Sequence, residues 1–225
     1  MQRSRKTQTA APPLLVVALD CDGVVLESVE AKTRAFGSLF AGRGPGASEF
    51  IVAYHREHGG VSRYRKFEHF YRAFLGCEIT PEEMADLDLR FSALCLDEVL
   101  QSPLVPGVAE FLAAYGRELP LYVVSGAPQA ELREIFARRA LTEHFQAIYG
   151  SPDSKTEILA RVIQAEGVAP SQVLMVGDSS TDRDAALAVG ALFYGRGEFP
   201  GHPWSADLHG LTPFVAGLLA AGCAP

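Results

Sequence analysis

Two carboxylates one residue apart, Asp20 and Asp22, follow the apolar run Val17-Ala18-Leu19 and precede Gly23. Two acids held together repel each other unless a cation lies between them or one takes a proton. Alone, the Asp-Cys-Asp-Gly segment reads better as a solvated turn, because such residues dominate turns. The ends of other apolar runs change that reading. Leu121-Tyr122-Val123-Val124 leads into Ser125-Gly126, a hydroxyl and backbone N–H groups ahead of a helix, a pattern suited to an anion. Lys155 opens another helix, where the dipole disfavours a cation and so hints at an anionic ligand. Leu174-Met175-Val176 runs into Gly177-Asp178-Ser179-Ser180-Thr181-Asp182, with its two acids four apart. Carboxylate oxygens select Mg²⁺, which neutralises phosphate charge and lets an anionic nucleophile approach. A carboxylate nucleophile splits one displacement into two. The chemistry indicated is phosphoryl transfer.

These groups sit at the ends of runs that read as buried strands: 14–19, 119–124, 145–149, 172–176 and 191–194. Helical patterns separate the last four, which predicts right-handed crossovers and a doubly wound parallel sheet of the α/β class. Ligands of such sheets bind beyond the carboxyl ends of the strands. Between the first and second runs only helices are expected, over 29–40, 49–57, 62–75 and 81–100, the last opened by the capping box of Thr80, Pro81 and Glu83. The predicted organisation is a disordered leader over 1–13, an α/β body over 14–28 and 103–225, and a helical cap over 29–102. A short helix over 211–221 closes the chain.

At 225 residues and 48% hydrophobic, the chain has ample material for a core, and no apolar run approaches the ~20 residues of a membrane span. Its net charge of −7 argues against a nucleic-acid partner held by phosphate contacts. The scattered Cys21, Cys77, Cys95 and Cys223 indicate neither a disulfide framework nor a zinc site, and reduced thiols in a cytoplasm are expected.

In order and spacing these motifs resemble the haloacid dehalogenase superfamily, in its phosphatase branch with a helical cap after the first strand, alongside phosphoglycolate phosphatases and β-phosphoglucomutases. The resemblance spans about 14–194. It implies a Rossmann-like body, with the first strand lying between the second and fourth, and a Mg²⁺-dependent phosphatase acting on a small phosphorylated metabolite. Asp20 would be the nucleophile that forms an aspartyl phosphate, and Asp22 the general acid and then base, with its carbonyl on the metal. Ser125, Gly126 and Lys155 would hold the phosphoryl oxygens. Asp178 would ligate Mg²⁺, and Asp182 would ligate it through water or orient Lys155. True dehalogenases lack the second acid, so Asp22 favours phosphate chemistry. Sugar-phosphate mutases carry a histidine where this chain has Lys32. A mutase and a non-catalytic binding protein on the same fold are the alternatives.

The stretch 51–72, IVAYHREHGGVSRYRKFEHFYR, is rich in basic and aromatic residues. Tyr54, Tyr64, Phe67, Phe70 and Tyr71 are expected in the cap core beneath a solvated basic face. Gly60, Ser62, Arg63 and Lys66 are the candidates for selecting the substrate's non-reacting end. His55 and His58 are expected at the surface, and Cys21 as a packing residue of raised pKa.

Overall fold

The computed structural model describes residues 16–222 of the chain, so the expected leader lies outside the described residues. Strand β1 (Val16–Leu19) is followed by α1 (Val29–Phe40), α2 (Ala47–Glu57), α3 (Arg63–Phe70) and α4 (Pro81–Gln101), and α5 (Val108–Tyr115) leads back to the sheet. There β2 (Leu121–Pro128), α6 (Gln129–Arg138), β3 (Ala147–Ser151), α7 (Lys155–Glu166), β4 (Val173–Gly177), α8 (Ser180–Val189) and β5 (Leu192–Arg196) alternate. The two-residue strand β6 (Trp204–Ser205) and α9 (Leu211–Gly222) complete the described chain. This is the predicted α/β fold with a helical cap inserted after its first strand. No helix among the described residues is long and apolar enough to cross a membrane.

The sheet is parallel throughout, in the order β3-β2-β1-β4-β5-β6. Leu19 at the end of β1 is paired with Val123 on one side and Val176 on the other. The segments that follow all three residues therefore emerge at one edge, where the chemistry-bearing side chains meet. Alternation along the strands divides the core in two. Val17, Leu19, Val123 and Val176 pack with Leu132, Phe136 and Leu211 of the helices, whereas Val16, Ala18, Val124 and Met175 pack with Ile158, Leu159 and Ala186 on the opposite face. Strands buried on both faces are apolar at every position, which is why they read as continuous runs.

In the cap, Phe36, Phe40, Phe67, Phe70 and Phe91 form one buried aromatic cluster, with Phe36 and Phe91 centroids 4.5 Å apart. The predicted box opens α4: Thr80 accepts from Glu83 N at 3.2 Å, and Glu83 accepts from Thr80 N at 3.0 Å. The two connections to the body run side by side, with Val105 N donating to Val25 O at 3.1 Å and Glu27 N to Pro103 O at 3.0 Å.

Three local features differ from expectation. The helix expected over 62–75 is α3 followed by a π-helical turn, Tyr71–Leu75. Strand β2 runs on through Ser125 and Gly126, where polar residues face the site, so the apolar pattern stops before the extended backbone does. Strand β6 is too short to leave a pattern.

Candidate active site

The carboxylate of Asp20 is fixed at both oxygens. Oδ1 accepts from Cys21 N at 2.7 Å and Oδ2 from Lys155 Nζ at 2.7 Å. Burial pushes its pKa upward, Asp182 and Asp22 add to the rise, and Lys155 opposes it. Asp22 turns the other way, accepting from Lys32 Nζ and from Ser28 Oγ, each at 2.5 Å. Burial alone would raise its pKa, but the charge of Lys32 and these hydrogen bonds outweigh it and hold Asp22 below its ordinary value. The two neighbouring acids thus occupy opposed environments. Gly23 completes the turn at φ +76, and a Cβ there would lie 2.1 Å from Asp178 Oδ2, so only glycine admits Asp178 beside Asp20. Cys21 is buried between the acids, and burial, with Asp22 next, pushes its thiol well up, as expected of a packing residue.

Lys155 is the first residue of α7, behind the Ser154 N-cap. Its ammonium reaches Asp20 and, at 2.5 Å, Asp182 Oδ1. Asp182 is fully buried, and its other oxygen accepts from Ser179 N at 3.2 Å and Ser179 Oγ at 2.5 Å at the start of α8. It therefore orients Lys155. Among the described residues Asp178 has no ion-pair partner; burial raises its pKa, and Asp20 and Asp182 raise it further. Asp20, Asp178 and Asp182 each bring an oxygen within 4.8 Å of the others. The side chain of Asp22 is not in that group. Three hard carboxylates, one of them unpaired, facing a single lysine suit a divalent cation such as Mg²⁺.

Ser125 is buried and does not cap the next helix, whose N-cap is Pro128; its Oγ accepts from Ala127 N at 3.3 Å. Gly126 lies directly under the cap: a Cβ on it would meet Gly60 O at 2.1 Å. Thr181 Oγ1 donates to Gly59 O at 3.2 Å, a hydrogen bond from the body to the same cap turn. A cavity of about 320 Å³ lies beneath this turn, and Asp20, Asp22, Ser125, Gly126 and Asp178 line its floor.

Its cap side bears Lys32, His55, Gly60, Arg63 and Lys66. Ser62 is not in this lining; it caps α3 and faces the adjoining cavity by Lys155. The expected solvated basic face is corrected in part: Arg56, Arg65 and Arg72 are exposed, but Arg63 and Lys66 are buried, as is Lys32 of α1. Arg63 joins cap to body through Glu131 of α6, with Asp88 at 3.2 Å and Ser92 Oγ at 2.7 Å completing its bonds. His55, expected at the surface, is likewise buried, and burial followed by the nearby Lys66 lowers its pKa to about 3. Phe67, Phe70 and Tyr71 are buried in the cap core, and Tyr54 and Tyr64 are half-buried.

Contributors absent from the sequence reading of this site include Ser28, Ser92, Glu131, Ser179 and Arg196. Arg196 Nη1 donates to Gly23 O at 2.8 Å and pairs with Glu27, bracing the turn that follows Asp22 from β5. Of these, Ser179 and Arg196 carried a positional signal, lying just beyond apolar runs as the other site residues do.

A family model for haloacid dehalogenase-like hydrolases matches residues 14–190. A 5′-nucleotidase of Pseudomonas aeruginosa is 34% identical over 120 residues, 51% of this chain and 54% of that protein. A phosphoglycolate phosphatase of Synechococcus elongatus is 31% identical over 117 residues, 51% of this chain and 55% of that protein. The chain thus spans about half the length of these curated relatives. The β-phosphoglucomutase of Clostridium difficile has the same fold, with a TM-score of 0.75, 14% identity, and coverage of 92% of this chain and 97% of that one.

Proposed function

This chain belongs to the haloacid dehalogenase-like hydrolase family, and on that premise we propose that it is a Mg²⁺-dependent phosphatase of a small phosphorylated metabolite, working through an aspartyl phosphate on Asp20. The observation that carries this reading is the opposed setting of Asp20 and Asp22 in one cavity, the first held by Lys155 and the second by Lys32. Paired carboxylates with divergent environments divide the roles of nucleophile and proton carrier.

Asp20, immobilised by Cys21 N and Lys155, attacks phosphorus as the bond to the alcohol oxygen breaks. Asp22 gives its proton to that oxygen, its proton affinity raised by the dianion beside it. In the second half, Asp22 takes a proton from water as the water oxygen attacks phosphorus, and the Asp20 carboxylate leaves unchanged. Ser125, the backbone at Gly126, and Lys155 hold the non-bridging oxygens. Mg²⁺ would be held by Asp20, Asp178 and the Asp22 carbonyl, with Asp182 reaching it through water or orienting Lys155, and would neutralise phosphate charge.

The test is Mg²⁺-dependent orthophosphate release across a panel of phosphomonoesters. Release that falls by about 10⁴-fold or more in Asp20→Asn supports the reading. Isomerisation dependent on a bisphosphate primer, without net phosphate release, would establish a mutase instead.

A further inference from the structure

Four cationic side chains line the cap side of the cavity: Lys32, Arg56, Arg63 and Lys66. Three have acidic partners. Lys32 pairs with Asp22, Arg56 approaches Glu30 at 3.6 Å, and Arg63 is held by Glu131 and Asp88. Lys66 has no carboxylate partner among the described residues and is only 2% exposed. Its ammonium donates to His55 Nδ1 at 2.7 Å and lies 5.5 Å from the centre of the Phe36 ring. The bond makes Nδ1 the acceptor, so the ring proton sits on Nε2, which is buried without a hydrogen bond of normal geometry.

A buried cation without a counter-charge costs stability, and replacing it with an apolar residue would remove that cost. Burial, then repulsion from Lys32 and Lys155, only partly offset by Asp22 and Asp178, lowers the pKa of Lys66 to about 7. Lys66 thus lacks a paired counter-charge of its own, in the same cavity as the reacting carboxylates. A phosphoryl group on Asp20 would not supply it, because Ser125 and Lys155 already serve that group. The remaining space is the compartment for the alcohol portion of the substrate.

We propose that Lys66 selects the substrate by pairing with a second anionic group, a carboxylate or another phosphate, on the organic portion of the phosphomonoester. This rests on the phosphatase reading and narrows its substrate to small, doubly anionic esters, against esters with uncharged tails. His55 is the positioning residue that holds the ammonium toward the cavity. Arg63, occupied by its two acids, is not the selector.

Three esters with the same two-carbon reach test the proposal: ethyl phosphate with a neutral tail, 2-phosphoglycolate with a carboxylate, and ethylene glycol bisphosphate with a second phosphate. With Mg²⁺, the wild type is expected to favour one or both anionic tails by about 10- to 100-fold in kcat/KM. Lys66→Met should reduce that preference at least about tenfold, mainly through KM, and Lys66→Arg should retain most of it. Whichever anionic ester is preferred identifies the second group. Calorimetry with the Asp20→Asn protein and the same esters reads the preference without turnover. Wild type that hydrolyses all three alike, or Lys66→Met that keeps the preference, overturns the anion site and leaves the phosphatase standing. No hydrolysis, with anionic tails bound preferentially through Lys66, overturns the phosphatase and leaves the anion site. The melting temperature of ligand-free Lys66→Met should equal or exceed that of the wild type; a clear fall would make Lys66 a structural residue and overturn the proposal.

Discussion

Lys32 Nζ lies 2.5 Å from Asp22 Oδ2, a contact that ties the first helix of the cap to the catalytic turn of the body. Both side chains are largely buried, so the attraction is weakly screened. Replacing Lys32 with Met removes the positive charge that holds the Asp22 pKa down and lets burial raise it. In the proposed mechanism Asp22 must be ionised as base and protonated as acid, so both limbs of the kcat profile should move to higher pH. The measurement is kcat against pH for wild type and Lys32→Met; limbs that stay in place would show that Lys32 does not govern Asp22.

The raised pKa values of Asp20 and Asp178 have a thermodynamic counterpart. Without metal, the folded state binds protons at these groups more tightly than the unfolded chain does. Their contribution to stability should therefore be greatest below the ordinary carboxylate range and be lost as pH rises through the elevated folded values. A cation bound only by the folded state opposes that fall and stabilises as RT ln(1 + [L]/Kd). Melting curves against pH, in EDTA and in MgCl₂, should diverge toward neutral pH. In Asp178→Asn the metal-free protein should melt higher and the MgCl₂ increment should shrink.

Glu131 accepts from both Arg63 and Ser92 of the cap. Glu131→Gln leaves the buried Arg63 with Asp88, which is one-third exposed, as its acidic partner. A cost of about 2 kcal/mol is expected, the range of a hydrogen bond to a charged group. Denaturant unfolding of Glu131→Gln, Arg63→Met and the double variant should show a double-variant cost well below the sum of the two.

Gly126→Ala would drive a methyl group into the Gly60 carbonyl, which belongs to backbone and has little room to yield. The cap turn must shift and take the bond from Thr181 to Gly59 with it. KM should rise and kcat fall together, with proteolysis quicker between residues 58 and 62. An unaltered enzyme would show that the turn and β2 separate without consequence for the chemistry.

The apolar runs were legible because a strand buried on both faces has no polar position, and the site acids were legible because they stand where those runs end. Cap-side partners were not. Glu131 lies 68 residues from Arg63, and neither neighbourhood in sequence distinguishes a buried ion from a solvated one. The basic stretch from His55 to Lys66 has the composition of a wetted helix face. Only the folded cap shows that His55, Arg63 and Lys66 are turned inward while Arg56 and Arg65 stay exposed. His55 reads the same whether buried against Lys66 or exposed, because its spacing relative to apolar neighbours does not change.

The central place of β1 bears on how the protein is made. Val16–Leu19 is synthesised before both of its neighbours in the sheet, Leu121–Val123 and Val173–Val176, which lie far downstream. Until then a wholly apolar segment has no sheet to join, and closing so long a loop is entropically slow. Asp20 thus acquires its setting only after Val173–Val176 has been made. Chains stalled before that point would hold Asp20 without Asp178 or a completed cavity, and would expose a sticky edge that chaperones must cover.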